Sequence, residues 1–272
     1  MSCSRRAPLK FWLRFMAVTI NILVTRPAGQ AQDLCAAVRA MGLTVHCLPM
    51  LQVLPLAELA PEQRQQVLDL DQYQHLIFIS ANAVQHGMAC IESCWPQLPV
   101  GLHWYAVGSG TARLLSSYGV SVHTPGAAMT SEGLLALPQL QQVQGERVLV
   151  VKGEGGRQTL ATELSSRGAR VDELACYRRA APELAPQTLS LKLTQWAIDV
   201  VMISSGEGLG NMLALLSPAE TTKFRYITFL VPSPRVAEMA RSAGFEQVIV
   251  AENASDSAML RALAAWQTSA GE

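Results

Sequence analysis

Short apolar runs alternate with amphipathic stretches along the chain. The runs LIFIS from Leu76, VVMIS from Val200 and ITFLV from Ile227 each contain almost no polar residue. Continuous apolar strands of this kind, separated by helical patterns, are typical of parallel sheets that are covered by helices on both faces. The pattern therefore predicts an α/β fold.

The same order of elements occurs twice. ILVTRPAGQAQDLCAAVRAMGLTVHCLPM, from Ile22, aligns without gaps on VLVVKGEGGRQTLATELSSRGARVDELAC, from Val148. Each copy predicts a buried strand, a polar loop, an amphipathic helix closed by glycine, and a second strand. Further along, LIFISANAVQHGM aligns with VVMISSGEGLGNM and places Ser80 on Ser204, and YAVGSGTARLL aligns with FLVPSPRVAEM. The repeat predicts two similar doubly wound, flavodoxin-like parallel-sheet domains.

Small polar and cationic residues follow the predicted strands. Ligands of doubly wound sheets gather at the carboxyl ends of the strands, and helix N-termini at these ends favour carboxylates or phosphates. Ordinary capping and turn formation also explains each residue singly, but the repetition with interleaved cations favours an anion site. The candidate binding residues are Arg26, Ser80, Asn82, Thr111, Lys152, Ser204, Ser205, Ser233 and Arg235.

Composition and charge exclude several other classes of protein. Lys+Arg and Asp+Glu both total 21, so no overall positive field exists to attract a nucleic-acid backbone. The cysteines and histidines show no metal-ligand spacing, and AVGSGTA is an incomplete dinucleotide fingerprint without the acidic residue that such a site requires. We expect no metal, no organic cofactor and a reducing, cytoplasmic setting.

The N-terminus superficially resembles a signal peptide, because Arg5, Arg6 and Lys10 precede an apolar run. Arg14 interrupts that run, and its second half, NILVTRP, is predicted as the first strand. We therefore expect residues 1–16 to be an N-terminal extension. No other stretch approaches the roughly 18 to 20 apolar residues of a membrane span, and no membrane partner is expected.

Eight short segments carry a resemblance to a known family. They are VTRP at Val24, FISANAV at Phe78, AVGSGTA at Ala106, TSEGLL at Thr130, VKGEGGR at Val151, CYRR at Cys176, ISSGEGL at Ile203 and ASDSAM at Ala254. In this order, from about Ala17 to Trp266, the chain resembles the uroporphyrinogen-III synthase family. None of the segments is specific alone, and the resemblance depends on their collinear order.

The resemblance implies an exchange between the two halves of the chain. The repeat alone would divide the chain near Gly145. The family instead implies one domain of residues 17–50 and 182–268 and a second domain of residues 51–181, with a substrate cleft between them. Two antiparallel strands, within LPMLQVLPL from Leu48 and ACYRRAAPEL from Ala175, would join the domains as a linker.

The resemblance also implies the reaction and the partners. The family cyclises hydroxymethylbilane, a linear tetrapyrrole with eight carboxylates, by loss of water and inversion of the terminal D ring, which gives uroporphyrinogen III without a cofactor. Tyr177 occupies the position of the family's most discussed acid, and a phenol, protonated at neutral pH, could donate to the departing hydroxyl; simple packing in the linker is the alternative. We expect a monomer that contacts the preceding pathway enzyme transiently. Further candidate cations are Arg113, Arg157, Arg178 and Arg179.

Two other classes of protein share this pattern of elements. Hinged two-lobed α/β proteins also capture small anions without catalysis, and the absence of an evident catalytic dyad suits such a binding module. A receiver-like pair of domains would need an acidic cluster after its first strand, which this sequence lacks.

Overall fold

The computed structural model describes residues 19–126, 128–156 and 158–270, without the side chain of residue 270. The predicted extension, residues 1–16, and the expected domain start at residue 17 lie outside this part of the chain. The strands are β1 (Asn21–Val24), β2 (Thr44–Cys47), β3 (Gln52–Pro55), β4 (His75–Phe78), β5 (His103–Ala106), β6 (Val122–His123), β7 (Arg147–Gly153), β8 (Arg170–Ala180), β9 (Val200–Met202), β10 (Thr228–Val231) and β11 (Val248–Val250). The α-helices are α1 (Gln32–Ala40), α2 (Pro61–Leu68), α3 (Ala81–Glu92), α4 (Ser109–Ser116), α5 (Ser131–Leu135), α6 (Thr159–Ser166), α7 (Thr188–Gln195), α8 (Gly206–Ala214), α9 (Pro218–Lys223), α10 (Pro234–Ser242) and α11 (Asp256–Ala270).

The chain divides into two compact units. Unit 1 combines the residues up to Met50 with those from Pro182 onward, and unit 2 is Leu51–Ala181. The sheet of unit 1 has the order β11-β10-β9-β1-β2, and its strands are parallel throughout. Numbered within the unit, this order is 2-1-3-4-5, which is the flavodoxin-like arrangement.

Unit 2 repeats this arrangement. Its sheet has the order β3-β8-β7-β4-β5-β6, so β8, β7, β4, β5 and β6 take the places of β2, β1, β9, β10 and β11. All pairs in this sheet are parallel except β3 with β8, in which Gln52 lies opposite Ala180 and Pro55 opposite Tyr177. The predicted fold class is therefore confirmed, including the antiparallel pair.

Each sheet is buried on both faces, because alternate residues of its central strands belong to different apolar clusters. In unit 1, Leu23 packs in one cluster and Ile22 in the other. In unit 2, Leu149 and Val148 are divided in the same way. Burial of each such side chain contributes roughly 1.5–3 kcal/mol, which explains the continuous apolar runs in the sequence.

The strand pairing confirms the first aligned segment of the repeat and shifts the alignment of the next segments by one residue. Ile22 and Val148 are equivalent, since each begins the apolar part of the central strand and pairs with the matched residue of the neighbouring strand. Ile22 lies opposite Val200, whereas Val148 lies opposite His75. His75 therefore corresponds to Val200.

With this register, Ser80 corresponds to Ser205, and the ungapped alignment of Ser80 with Ser204 is wrong. The helix caps show the same shift, since Ser80 is the N-cap of α3 and Ser205 the N-cap of α8. Gly108 likewise corresponds to Ser233, and both occupy N-cap positions. The predicted alignment started this segment with Leu76 on Val200 where the strand pairing has His75, and without gaps that one-residue error passes to every later match in the segment.

The strand β8 continues without a break from the parallel sheet into the linker pair. Opposite β7, its register shifts at a bulge, so that Lys152 pairs with Ala175 and Gly153 with Tyr177. Bulges of this kind redirect a side chain. In unit 2 the bulge places the ring of Tyr177 over the end of β7.

Candidate active site

In unit 1, two electropositive groups meet at the carboxyl end of β9. Ser205 caps α8, its Oγ accepting a hydrogen bond from Gly208 N at 3.0 Å. The guanidinium of Arg235, from the first turn of α10, lies over Gly206; a Cβ at Gly206 would be 3.3 and 3.4 Å from its terminal nitrogens. Both this guanidinium and the N-terminus of α8 attract anions. Together they favour a carboxylate-sized anion between them.

The other candidates of unit 1 lie near the same edge of the sheet. Ser204 is half-buried and precedes the Ser205 cap, and Ser233 is the N-cap residue of α10, although its side chain forms no capping hydrogen bond. Arg26 follows β1, where its Nη1 lies 2.5 Å from Asp256 Oδ1 and its Nη2 donates to Ala254 O at 2.6 Å. The charge of Arg26 is thus already paired with the start of α11.

In unit 2, the corresponding edge brings Ser80 and Tyr177 together. Ser80 Oγ accepts from Ala83 N at 3.1 Å as the cap of α3, and lies 3.1 Å from the Tyr177 hydroxyl. Asn82 is in the first turn of α3, and Thr111 is buried in the first turn of α4. The predicted hydroxyl donors therefore follow neighbouring strands of this sheet.

Tyr177 is held by groups that the sequence did not identify as its neighbours. Tyr177 is only 5% exposed, and its ring packs over Gly153 with its centroid 5.6 Å from that of the His86 ring in α3. Burial lowers the pKa of His86, which favours a neutral imidazole beside the phenol. Helical spacing is the one signal for this contact in the sequence, because Ala83 and His86 are three residues apart after the Ser80 cap and so lie on one face of α3.

Lys152 lies within β7 and is 4% exposed. Its Nζ is 2.8 Å from Glu173 Oε1 on β8. The structure thus gives this ammonium a carboxylate partner inside unit 2, which the sequence analysis did not foresee. Among the further cations, Arg113, Arg178 and Arg179 are exposed, whereas Arg157 lies outside the described residues.

A second polar cluster lies near the amino ends of β4 and β5. His75 Nδ1 is 2.9 Å from the Tyr105 hydroxyl, and His75 Nε2 is 2.6 Å from Glu146 Oε2. The His75 ring also stacks on His103, and His123 packs against both His103 and Tyr105. Burial lowers the pKa of His75, and the hydrogen bond to Glu146 opposes this shift without overcoming it. This cluster is structural and lies away from the carboxyl ends of the strands.

Two other kinds of feature are absent from the described residues. Within residues 19–126, 128–156 and 158–270, no group of three or more His, Cys, Asp and Glu side chains is arranged to hold a metal ion. No helix in the same part of the chain is long and apolar enough to cross a membrane.

Fold and site together define a two-unit α/β protein in which serine-capped helices follow the parallel strands of each sheet. A sequence model described as "Uroporphyrinogen-III synthase HemD" matches residues 32–261. The uroporphyrinogen-III synthase of Escherichia coli (strain K12) is 31% identical over 249 residues, covering 90% of this chain and 100% of that protein. The Salmonella typhimurium enzyme is 30% identical over 247 residues, again 90% of this chain and 100% of the relative.

Solved structures agree with these sequence relatives. A mutant uroporphyrinogen III synthase from Thermus thermophilus has a TM-score of 0.58 at 19% identity, covering 92% of this chain and 100% of that one. The enzyme from Helicobacter pylori 26695 has a TM-score of 0.58 at 14% identity, covering 91% and 100%. The chain belongs to the uroporphyrinogen-III synthase family, a family of cyclising lyases of porphyrin biosynthesis. The resemblance found in the sequence is confirmed, and a non-catalytic binding module is not favoured.

Proposed function

We propose that the protein converts hydroxymethylbilane to uroporphyrinogen III, with loss of water and inversion of the terminal D ring. The observation that carries this proposal is the placement of Arg235 over the capped N-terminus of α8. The substrate has eight carboxylates, and this edge of unit 1 offers the guanidinium of Arg235 and the positive end of the α8 dipole to one of them.

The corresponding edge of unit 2 supplies the proposed acid. The Tyr177 hydroxyl is 3.1 Å from Ser80 Oγ, and a hydrogen bond between the two hydroxyls, in which either oxygen can donate, orients the phenol. In the reaction, Tyr177 donates to the departing hydroxyl, and the resulting azafulvene cation is attacked by the substituted carbon of the terminal pyrrole. A spiro intermediate then fragments and recloses with that ring inverted. Asn82 and Thr111 would bind further carboxylates at this edge.

Unaided ring closure gives the uninverted isomer I, so the protein must hold the linear tetrapyrrole in a bent pose. Positioning alone can supply several kcal/mol of the barrier. In unit 1, Ser204, Ser233 and Arg26 complete the proposed binding set. In unit 2, Lys152 belongs to the set as a cation whose charge is already paired with Glu173. The proposal includes a cytoplasmic monomer that receives its unstable substrate by transient contact with the preceding enzyme.

The direct test supplies hydroxymethylbilane generated in the assay and separates the oxidised products by chromatography. We expect isomer III in excess over the spontaneous isomer I. Formation of isomer I alone, with folded protein present at high concentration, would show that the protein is not this enzyme.

Arg235→Ala tests the carboxylate site. Loss of a charge-assisted hydrogen bond of roughly 1.5–3 kcal/mol predicts a KM raised about 10-fold to 150-fold. Arg241→Ala is the matched control, because Arg241 is exposed in the last turn of the same helix and its loss changes the net charge equally. Equal effects of the two variants would indicate long-range electrostatics and not a binding contact.

Tyr177→Phe tests the acid. We expect kcat to fall by about 10² to 10⁴, the usual contribution of general acid catalysis. Tyr105→Phe is the control, since it also removes a buried hydroxyl from unit 2, one that hydrogen-bonds to His75. An unchanged kcat in Tyr177→Phe would remove Tyr177 as the acid while leaving the overall reaction assigned.

A further inference from the structure

Two cysteines of unit 1 lie in direct contact. Cys35, in α1, and Cys47, the last residue of the edge strand β2, have their Sγ atoms 2.9 Å apart. This is closer than a van der Waals contact, and a movement of about 0.9 Å would bring the sulfurs to the roughly 2.0 Å of a disulfide bond. The two sulfurs are therefore already within reach of each other.

The two thiols differ in exposure. Cys35 is only 3% exposed, whereas Cys47 is exposed to solvent. Burial, together with the hydrogen bond to Cys47, raises the pKa of Cys35 to about 12; the charges of Arg39 and Arg26 oppose this shift. Cys35 therefore stays a thiol at neutral pH, and Cys47 is the sulfur that a dissolved oxidant reaches first.

We propose that Cys35 and Cys47 are a redox modification site that forms a reversible intramolecular disulfide when the protein meets a peroxide. The Cys47 thiolate attacks one oxygen of hydrogen peroxide, the O–O bond breaks, and Cys47 becomes a sulfenic acid as hydroxide leaves and is protonated to water. Cys35 transfers its proton to the sulfenic hydroxyl as its sulfur attacks Cys47 Sγ, the S–O bond breaks, a second water leaves, and the S–S bond forms. Two thiols are oxidised and one peroxide is reduced to two waters.

The arrangement matches that of a redox pair in which an accessible cysteine reacts and an adjacent one resolves the product. A second pair of cysteines, close in sequence, lacks such a contact between sulfurs. Cys90 and Cys94 are four residues apart in the sequence around the end of α3, a spacing that keeps Cβ atoms about 5–6 Å apart on a helix, beyond the roughly 3.5–4.5 Å of a disulfide. Cys176 is buried, and its thiol donates to Lys152 O at 3.3 Å. The geometry thus singles out Cys35 and Cys47 among the described cysteines.

Peptide mapping of the full chain tests the proposal. Reduced protein, freed of reductant and kept dilute, is treated with hydrogen peroxide, alkylated, and digested with trypsin without reduction. Cleavage after Arg39 separates the two cysteines, so their disulfide appears as a cross-linked peptide pair. We expect this pair to dominate and to disappear on treatment with dithiothreitol.

Two variants sharpen the test. Cys47→Ser should abolish the cross-linked pair and leave Cys35 alkylatable after unfolding, whereas Cys90→Ser should leave its yield unchanged. The proposal is overturned if peroxide carries Cys47 to the sulfinic acid while Cys35 remains a thiol. Cross-links from Cys47 mainly to another cysteine, or only between chains, would overturn it equally.

Discussion

Gly153 is the position at which the smallest change should disturb the candidate acid. The bulge in β8 places Gly153 opposite Tyr177, and a Cβ added at Gly153 would lie 2.6, 2.7 and 3.1 Å from three atoms of the tyrosine ring. Tyr177 is 5% exposed, and His86 and Ser80 lie beside its side chain. It therefore has little room to move away from a new methyl group.

The expected cost of Gly153→Ala follows from this overlap. Inserting a methyl group into a packed site typically costs about 1–3 kcal/mol. Displacement of the ring also breaks the hydrogen bond between Tyr177 and Ser80, worth roughly 0.5–1.5 kcal/mol. We expect unit 2 to lose about 2–4 kcal/mol of its free energy of unfolding, and the kcat of the proposed reaction to fall with the loss of the oriented phenol.

The measurement must report on unit 2 alone, because two units need not unfold together. Hydrogen exchange in increasing urea, followed by mass spectrometry on peptides from β7, meets this need. Gly110→Ala is the control: nothing lies within 4 Å of its Cβ position, so relief of the glycine penalty in α4 should stabilise by up to about 1 kcal/mol.

A double-mutant cycle with Tyr177→Leu identifies the cause of the loss. If the ring is the obstacle, Gly153→Ala should cost much less in the Tyr177→Leu background, with a coupling of about 1–3 kcal/mol. The reasoning is refuted if Gly153→Ala costs under about 0.5 kcal/mol, or if it costs the same in both backgrounds.

Two further predictions concern buried charge. Burial holds the pKa of His75 in the folded protein below its usual 6.5, so His75 of the unfolded chain takes up a proton first as the pH falls. The protein therefore loses, below about pH 6.5, stability that it has above that pH. His75→Gln should flatten this dependence between about pH 7 and pH 5, by up to about 1.4 kcal/mol per pH unit in urea titrations; an unchanged slope would contradict it. Glu173→Gln should lower the free energy of unfolding by about 2–3 kcal/mol, because Lys152 then lacks its carboxylate partner. Breaking a fully buried pair costs roughly 3–5 kcal/mol, and the value expected here is smaller because Glu173 is partly exposed. Lys152→Met with Glu173→Gln should recover most of that loss in the same assay, and failure to recover would show that the pair is not the cause.

Much of the fold follows from local pattern. Apolar runs identify the central strands because these are buried on both faces, and the repeat gives the equivalence of Ile22 and Val148. The one-residue slip at Ser204 has a different origin. Register between parallel strands is set by pairing across the sheet, which only the structure shows, and a sequence alignment contains no term for it.

The site was predictable where its chemistry is local. Ser80 and Ser205 are recognisable as N-caps from the strand, serine and helix pattern alone. The contact of Tyr177 with Ser80 depends on a bulge, and the pairing of Lys152 with Glu173 depends on neighbouring strands. Both are long-range consequences of register, so residue type and spacing gave no signal for either.

The exchange between the units follows from where the chain leaves each sheet. In unit 1, β2 leads into β3 and then to α2 and β4 of unit 2; in unit 2, β8 leads to α7 and β9 of unit 1. Each repeat thus contributes its first strand–helix–strand segment to one sheet, and the other repeat contributes the remaining parallel strands of that sheet. A cut at Gly145, between the repeats, would separate β7 from its partner β4 and β1 from its partner β9. Those pairs are the central ones of both sheets, at the point where the strand order reverses and where ligands of such folds bind. Each half of the chain would therefore lack the central strand pair of both sheets, although each half contains one nearly complete copy of the repeat.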